Sequence, residues 1–279
     1  MARRSRLETP ILELCITAKP YYNGIYPEFP AGGEMEYDDI LGIAEAAVKA
    51  GFRRFILTGS EPLRHPDILD ICFEIGQMRE FVEFGVSTLG AELRTMATTL
   101  KGSGVNLLEI RLDTLQKIKY DYIVGGNMSH VLKGIAAAER TGFLLRTMTR
   151  LIGGANDDEA YDFCDLVKRH CFEQWFIELP KGHENRVSGD FIPGLRRRLV
   201  ETDRRDGARR FSVESDSGVI CLASYEDMNR IRISSDMMLT AHEETVDLKP
   251  LDMDGLTEKL RWAFEPDKRM RFGIQLVQE

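Results

Sequence analysis

The 279-residue chain contains no apolar run approaching the roughly 18 residues of a membrane-spanning helix. Its basic start, Met1-Ala2-Arg3-Arg4-Ser5-Arg6, leads into a stretch broken by Glu8 and Glu13, so neither export nor membrane insertion is expected and the chain reads as cytoplasmic. A positive excess is also missing. Lys+Arg number 37 against 45 Asp+Glu, a net charge of −8, and a general nucleic-acid binder would present a basic surface instead. Cysteine is sparse and scattered: Cys15, Cys72, Cys164, Cys171 and Cys221 are an odd set without a Cys-x-x-Cys pair, which excludes a disulfide framework and suits reduced thiols. Internal repeats and low-complexity tracts are absent. With 43% hydrophobic and 29% charged residues, the chain belongs among globular proteins with a packed core.

What is present is an alternation. Short apolar segments, Ile11–Thr17, Arg53–Thr58, Phe81–Ser87, Val105–Leu112, Leu144–Leu151 and Phe172–Leu179, read as strands. Helical patterns separate them at Tyr37–Ala50, Pro66–Gln77, Glu92–Leu100, Met128–Arg140 and Asp157–His170. Acidic residues open two of these helices, and Gly51 and Gly142 stop two others. The expected fold class is α/β, a partial (β/α)6 barrel of the TIM type whose strand ends on one face carry any site; a flat doubly wound sheet is the alternative. From Pro180 the pattern breaks into Pro, Gly and Arg-rich stretches, including Arg196-Arg197-Arg198. A boundary near 181 is therefore expected, between a barrel over 1–180 and a C-terminal extension over 181–279.

Thr58-Gly59-Ser60-Glu61-Pro62 lies at a strand end before a helix. Its backbone and single carboxylate could hold an ammonium or hydroxyl group, although Gly, Ser and Pro also build ordinary turns in which Glu61 would face water. Together with Ser87-Thr88-Leu89-Gly90, Ile110-Arg111-Leu112-Asp113-Thr114-Leu115, Asn156-Asp157-Asp158-Glu159 and Phe176-Ile177-Glu178-Leu179-Pro180, this turn falls in the order and spacing of the radical S-adenosylmethionine (SAM) superfamily. Within it, the chain from about Ile11 to Phe264 resembles the GTP 3',8-cyclase (MoaA-like) family of molybdenum-cofactor biosynthesis.

That resemblance implies two iron–sulfur clusters, and the ligand positions have changed in this chain. The cysteines of the first cluster align with Pro20, Gly24 and Pro27, and those of the second with Tyr225, Met228 and His242. Of these only His242 carries a metal-binding group, so no 4Fe-4S cluster and no other metal is expected. Aromatic Tyr21, Tyr22, Tyr26 and Phe29 are expected to pack over the vacated loop. Cys164 and Cys171, seven residues apart, share a helical face as core residues do.

The same resemblance makes Thr58, Gly59, Ser60, Glu61, Pro62, Thr88, Arg111 and Asp113 the cofactor-binding positions for SAM, with Ser60 in place of a second glycine, Leu89 in place of an asparagine and Arg111 in place of a small polar residue. Asp113 is expected to cap the loop after the fourth strand. It makes Arg54, Arg146, Arg230 and Arg232 anion-binding, since these match positions facing a triphosphate; Glu13 stands where the family has a further arginine, and Val277-Gln278-Glu279 where it has Gly-Gly. For each arginine, ordinary surface salt bridging is the alternative. No catalytic residue is assigned: His65 is expected to be a solvated residue at a helix start. These expectations describe a pseudoenzyme, a binding or regulatory protein for an anionic, nucleotide-like small molecule or a partner protein, such as an intact homologue. SAM or a nucleotide is the candidate ligand. The alternative is a metal-independent enzyme acting on a phosphorylated small molecule or using SAM in polar chemistry.

Overall fold

A computed structural model of the chain describes residues 9–19, 33–170, 172–187, 199–213, 218–241, 244–249 and 252–264. Five strand–helix units and a sixth strand come first. They comprise β1 (Ile11–Thr17), α1 (Tyr37–Ala50), β2 (Arg54–Gly59), α2 (Ile68–Gly76), β3 (Glu83–Thr88), α3 (Leu93–Gly102), β4 (Leu107–Arg111), α4 (Lys117–Val124), α5 (Met128–Thr141), β5 (Leu144–Leu151), α6 (Ala160–Arg169) and β6 (Glu173–Glu178). A mostly β segment follows, with β7 (Leu199–Arg205), β8 (Ala208–Val213), β9 (Val219–Ser224), β10 (Arg230–Ile233), β11 (Met238–Ala241), β12 (Glu244–Asp247) and α7 (Met253–Phe264).

All twelve strands form one sheet, ordered β12-β11-β10-β1-β2-β3-β4-β5-β6-β9-β8-β7. Its centre, β10-β1 through β6-β9, is parallel, and antiparallel hairpins flank it on both sides. Strands buried on both faces read as apolar runs, which is why β1 has all seven residues buried. The even residues Leu12, Leu14 and Ile16 pack under the helices in the main core, joined there by the Ile40, Ile43, Ala44 and Ala47 stripe of α1. That helix ends at Gly51, whose φ of 109° lets its N–H reach the carbonyls of Ala47 and Val48 at 3.1 Å.

The sheet is a curled, open half-barrel rather than the flat doubly wound alternative. Arg230 on β10 bonds Glu109 on β4 at 2.7 Å, although three strands separate them in the sheet; on a flat sheet, four inter-strand spacings of about 4.8 Å would hold these strands roughly 19 Å apart. Strand register fixes which residues enter the concave side. Glu13 pairs with Ile56, Ser87 with Glu109, Glu109 with Arg146, Arg146 with Glu173, and Met148 with Trp175, and paired residues share a face. Two small apolar clusters punctuate this side, Ile11 with Ile56 and Leu107, and Met148 with Trp175, Ile177, Ala208, Cys221, Ala223 and Met228.

The expected elements are all found, with ends shifted by a few residues. Helix α4 was not expected, because Ile118 and Tyr122 face outward and its apolar residues do not form one stripe. Helix α6 stops at Arg169, and Cys171, expected to share a helical face with Cys164, lies outside the described residues. The β7–β8 hairpin turns at Asp206-Gly207, both with positive φ (53° and 77°), the conformation of a type I′ turn. No helix among the described residues is long and apolar enough to cross a membrane.

Candidate functional site

At the C-terminal ends of the parallel strands, the β2 turn is locked onto β1. Gly59 has φ +138° and a Cβ there would meet the Thr17 carbonyl at 2.2 Å, so only glycine permits the approach. Ser60 donates its N–H to that carbonyl at 2.8 Å and its hydroxyl to the Lys19 carbonyl. Thr58 is buried opposite Cys15, and Pro62 is buried at the start of a single 3-10 turn. Glu61 does not face water. It is fully buried and accepts from Thr88 Oγ1 at 2.7 Å, Leu89 N at 2.9 Å and Leu63 N at 3.2 Å. Burial pushes its carboxyl above the ordinary range, against the opposing pull of the Arg111 charge and these hydrogen bonds. Arg111 itself donates Nη2 to the Ser60 carbonyl at 2.7 Å.

Farther round the rim, Asp113 reaches from the end of β4 to β5 instead of closing its own loop. It accepts from Arg150 N at 2.8 Å and Arg150 Nε at 3.0 Å, while its carbonyl receives the Asn156 amide. Sequence reasoning missed Glu159, which repeats the pattern of Glu61: fully buried, it accepts from Thr114 Oγ1 at 2.7 Å and Leu115 N at 2.7 Å. At both places a threonine hydroxyl and the N–H of the next residue need an acceptor, and a buried Glu from another loop supplies it. His65 is buried, not solvated, with Nε2 at 3.0 Å from the Met35 carbonyl and Nδ1 accepting from Asp67 N.

The concave side brings together all four predicted arginines, and it surrounds them with carboxylates. Arg54 binds Asp206 through Nη1 at 2.6 Å and Nη2 at 2.7 Å, and Glu83 through Nε. Arg146 reaches Glu83 at 2.9 Å, Glu173 at 3.2 Å and Glu109 at 3.5 Å. Arg230 grips Glu109 with both Nη atoms, at 2.9 and 2.7 Å, and also bonds Glu13. Arg232 donates Nε to Glu13 at 2.8 Å, and Arg210 bonds Glu173 at 2.9 Å. Among the described residues, five guanidinium groups thus meet five carboxylates, Glu13, Glu83, Glu109, Glu173 and Asp206, and Arg205 on Asp206 and Asp203 on Arg210 extend the network by one charge of each sign, so its charges balance.

Arg54, Arg146 and Arg230 are buried, so surface salt bridging does not describe them. Burial works against every charge here, yet the facing guanidinium groups hold Glu13, Glu173 and Asp206 below the usual carboxylate range. Sequence reasoning found the arginines and missed most of their partners. The available signal was parity: Glu83, Glu109 and Glu173 occupy inward positions of otherwise apolar strands.

Of the expected cluster positions, Pro20, Gly24, Pro27 and His242 lie outside the described residues, as do Tyr21, Tyr22, Tyr26 and Phe29. Met228 is buried, and Tyr225 stands 41% exposed with the Arg232 guanidinium 4.3 Å over its ring. Cys15, Cys72, Cys164 and Cys221 are buried. Burial pushes Cys72 and Cys221 up to about 12, the latter with help from the Glu173 charge. Among the described residues, no group of three or more His, Cys, Asp or Glu could hold a metal ion.

Residues 15–167 match the family model of the radical SAM superfamily. The chain is 30% identical over 233 residues to a GTP 3',8-cyclase of Peptoclostridium acidaminophilum, covering 76% of this chain and 71% of that protein. It is likewise 30% identical over 236 residues to the GTP 3',8-cyclase of Limosilactobacillus fermentum, covering 77% and 71%. Among solved structures, Streptococcus suis SuiB bound to S-adenosylmethionine superposes with a TM-score of 0.60 over 91% of this chain and 68% of that one, at 11% identity, a likeness of fold.

Proposed function

The chain belongs to the radical SAM superfamily and is a homologue of the GTP 3',8-cyclases, and from that premise we propose that it performs no radical chemistry and acts as a binding or regulatory protein. The observation that carries this reading is the neutral network on the concave side. An arginine cluster receives a triphosphate when its guanidinium forks are open. Here Glu13, Glu109, Glu83, Glu173 and Asp206 already fill the forks of Arg230, Arg146 and Arg54. A polyanion would have to displace carboxylates that are themselves buried, leaving them uncompensated.

The donor set supports the same conclusion. Residues 18–36, which join β1 to α1, contain no cysteine. The described thiols are distributed over β1, α2, α6 and β9. This set does not fit a cluster held by three adjacent thiolates, and no step of a reaction is assigned to one. The strand-end turn fits SAM poorly as well, because the Ser60 carbonyl that could take an ammonium group already accepts from Arg111. With the interior closed on itself, a partner protein is the favoured binding target, an intact superfamily homologue among the candidates. The test is anaerobic purification with iron and sulfide analysis, then incubation with SAM and a strong reductant. The expected outcome is neither stoichiometric iron nor sulfide and no 5'-deoxyadenosine; brown protein with both inorganic elements overturns the reading.

A further inference from the structure

Outside the half-barrel interior, a second place collects charge. A cleft of about 210 Å³ opens between the ends of β6 and β9, the 181–187 loop and the β7–β8 hairpin. Its wall carries Lys181, Arg186, Arg204 and Arg209 against Glu178 and Asp227.

Both sides of the cleft are held in place before any ligand arrives. On the hairpin side, a Cβ on Gly207 would lie 1.6 Å from the Asp227 carbonyl, so the turn is pressed against the opposite wall. Asp206 next to it is fastened by Arg54, and its carbonyl accepts from Asn229 N at 3.2 Å. On the loop side, Arg186 bridges to Ile152, and Gly153 N donates to the Asn185 carbonyl at 2.8 Å.

Arg186 is the informative group. Its Nη2 donates to Glu178 at 2.7 Å, which orients the guanidinium plane, but Nη1 is buried and makes no hydrogen bond. The nearest carboxylate to Nη1, Glu226 Oε1, stands at 3.6 Å. That carboxylate is committed elsewhere. It takes the Ser224 hydroxyl and the Lys181 N–H, and these contacts, the hydroxyl first, draw Glu226 down to about 2. A buried donor without an acceptor is costly, about 1–3 kcal/mol; the Arg186 side chain keeps 22% of its surface exposed, and a turn of the guanidinium toward the cleft would bring Nη1 to an oxyanion there. Arg204, with 74% of its side chain exposed and one contact to Glu201 at 3.4 Å, is placed to close over such a guest.

We propose that this cleft is a binding site for one small oxyanion, a phosphoryl or carboxylate group on a short carbon chain, received by Arg186, Arg204 and Lys181. The donors set the class: guanidinium and ammonium groups on one cleft wall match the oxygens of a phosphoryl or carboxylate group. The site lies apart from the interior network, so it stands or falls separately from the absence of radical chemistry.

The test is calorimetric titration of the full chain at low ionic strength with inorganic phosphate and, separately, with succinate. Binding of either at one site per chain is expected, phosphate alone identifying a phosphoryl ligand, succinate alone a carboxylate, and both the shared chemistry. R186Q and R204Q should each weaken it at least ten-fold, while R64Q, at a surface pair with Glu92, leaves it unchanged. R204Q removes an exposed side chain and keeps the test valid should R186Q fail to fold. Binding of neither probe, or binding that survives R204Q, overturns the proposal.

Discussion

Replacing Glu109 by Gln should distinguish a desolvated network from a decorative one. Glu109 is 1% exposed and accepts both Nη atoms of Arg230, at 2.9 and 2.7 Å, and Arg146 Nη1 at 3.5 Å. Glutamine preserves the shape, removes the charge and turns an amide NH2 toward a guanidinium. The network then holds an uncompensated buried positive charge, and breaking such a pair costs about 3–5 kcal/mol. For a chain of this size that corresponds to a melting temperature lower by roughly 6–20 °C, at about 2–4 °C per kcal/mol. Arg232, whose side chain is 33% exposed, provides the control: R232Q should cost about 0–1 kcal/mol. The double variant E109Q/R230M should recover at least half of the loss, because both buried charges of that pair are then gone. Urea denaturation followed by tryptophan fluorescence and by circular dichroism measures all three. If E109Q were no more costly than R232Q, the interior would be wet and the argument against polyanion entry would lose its footing.

Other perturbations follow from the same geometry. R111S removes the guanidinium from the Ser60 carbonyl, and calorimetry should show SAM affinity rising at least ten-fold over the unaltered protein; unchanged affinity would mean that Arg111 is not the obstacle. Glu13, Glu173 and Asp206 titrate below their ordinary values in the folded chain, so between the unfolded and folded values the unfolded chain binds more protons. Stability is therefore fully present above the ordinary carboxylate values of 4.5 and 3.8 and declines as pH falls through the lower folded ones; E13Q should flatten that acid slope, measured as urea midpoint against pH. G207A places a methyl 1.6 Å from the Asp227 carbonyl at φ +77°, and should cost at least the roughly 1–3 kcal/mol of a strained backbone position; a loss under 0.5 kcal/mol in urea would show a loosely seated hairpin.

The half-barrel was legible because its signals are local. Apolar runs such as Ile11–Thr17 and glycine stops such as Gly51 and Gly142 report the alternation of strand and helix without knowledge of what lies across the sheet. Helix α4 escaped because its packing, not an internal stripe, holds it. The β7–β8 hairpin was not read from the sequence although Asp206-Gly207 is a dipeptide that favours left-handed turns, and its target, Arg54, is 152 residues away in sequence. The same distance problem governs the site. Arg230 and Glu109 are 121 residues apart, and only strand order and curvature bring them together, so the arginines could be named in advance while their neutralisation could not. Glu61 illustrates the opposite error: a carboxylate in a Gly-Ser-Pro turn suggests solvent, yet three donors converge on it, Leu63 N from its own turn and Thr88 Oγ1 and Leu89 N from the end of β3.

The two chemical resources that define the strand-end face and the interior have the same fate by different routes. At the rim, Glu61 and Glu159 satisfy backbone N–H groups and threonine hydroxyls at the ends of β3 and β4, and Arg111 and Arg150 satisfy a carbonyl and a carboxylate. In the interior, arginine and carboxylate match one for one. An interior needs no ions to be stable, since well-packed apolar residues of similar volume serve at least as well. The charges therefore tie down geometry: several of the guanidinium groups join strands that are not neighbours in the sheet, Arg230 linking β10 to β4 and Arg54 linking β2 to the β7–β8 turn. Curvature maintained in this way positions the hairpin and, through it, the wall of the outer cleft. Among the described residues, Arg186 beside that cleft keeps a buried Nη1 without a hydrogen bond, and a ligand search is best begun there.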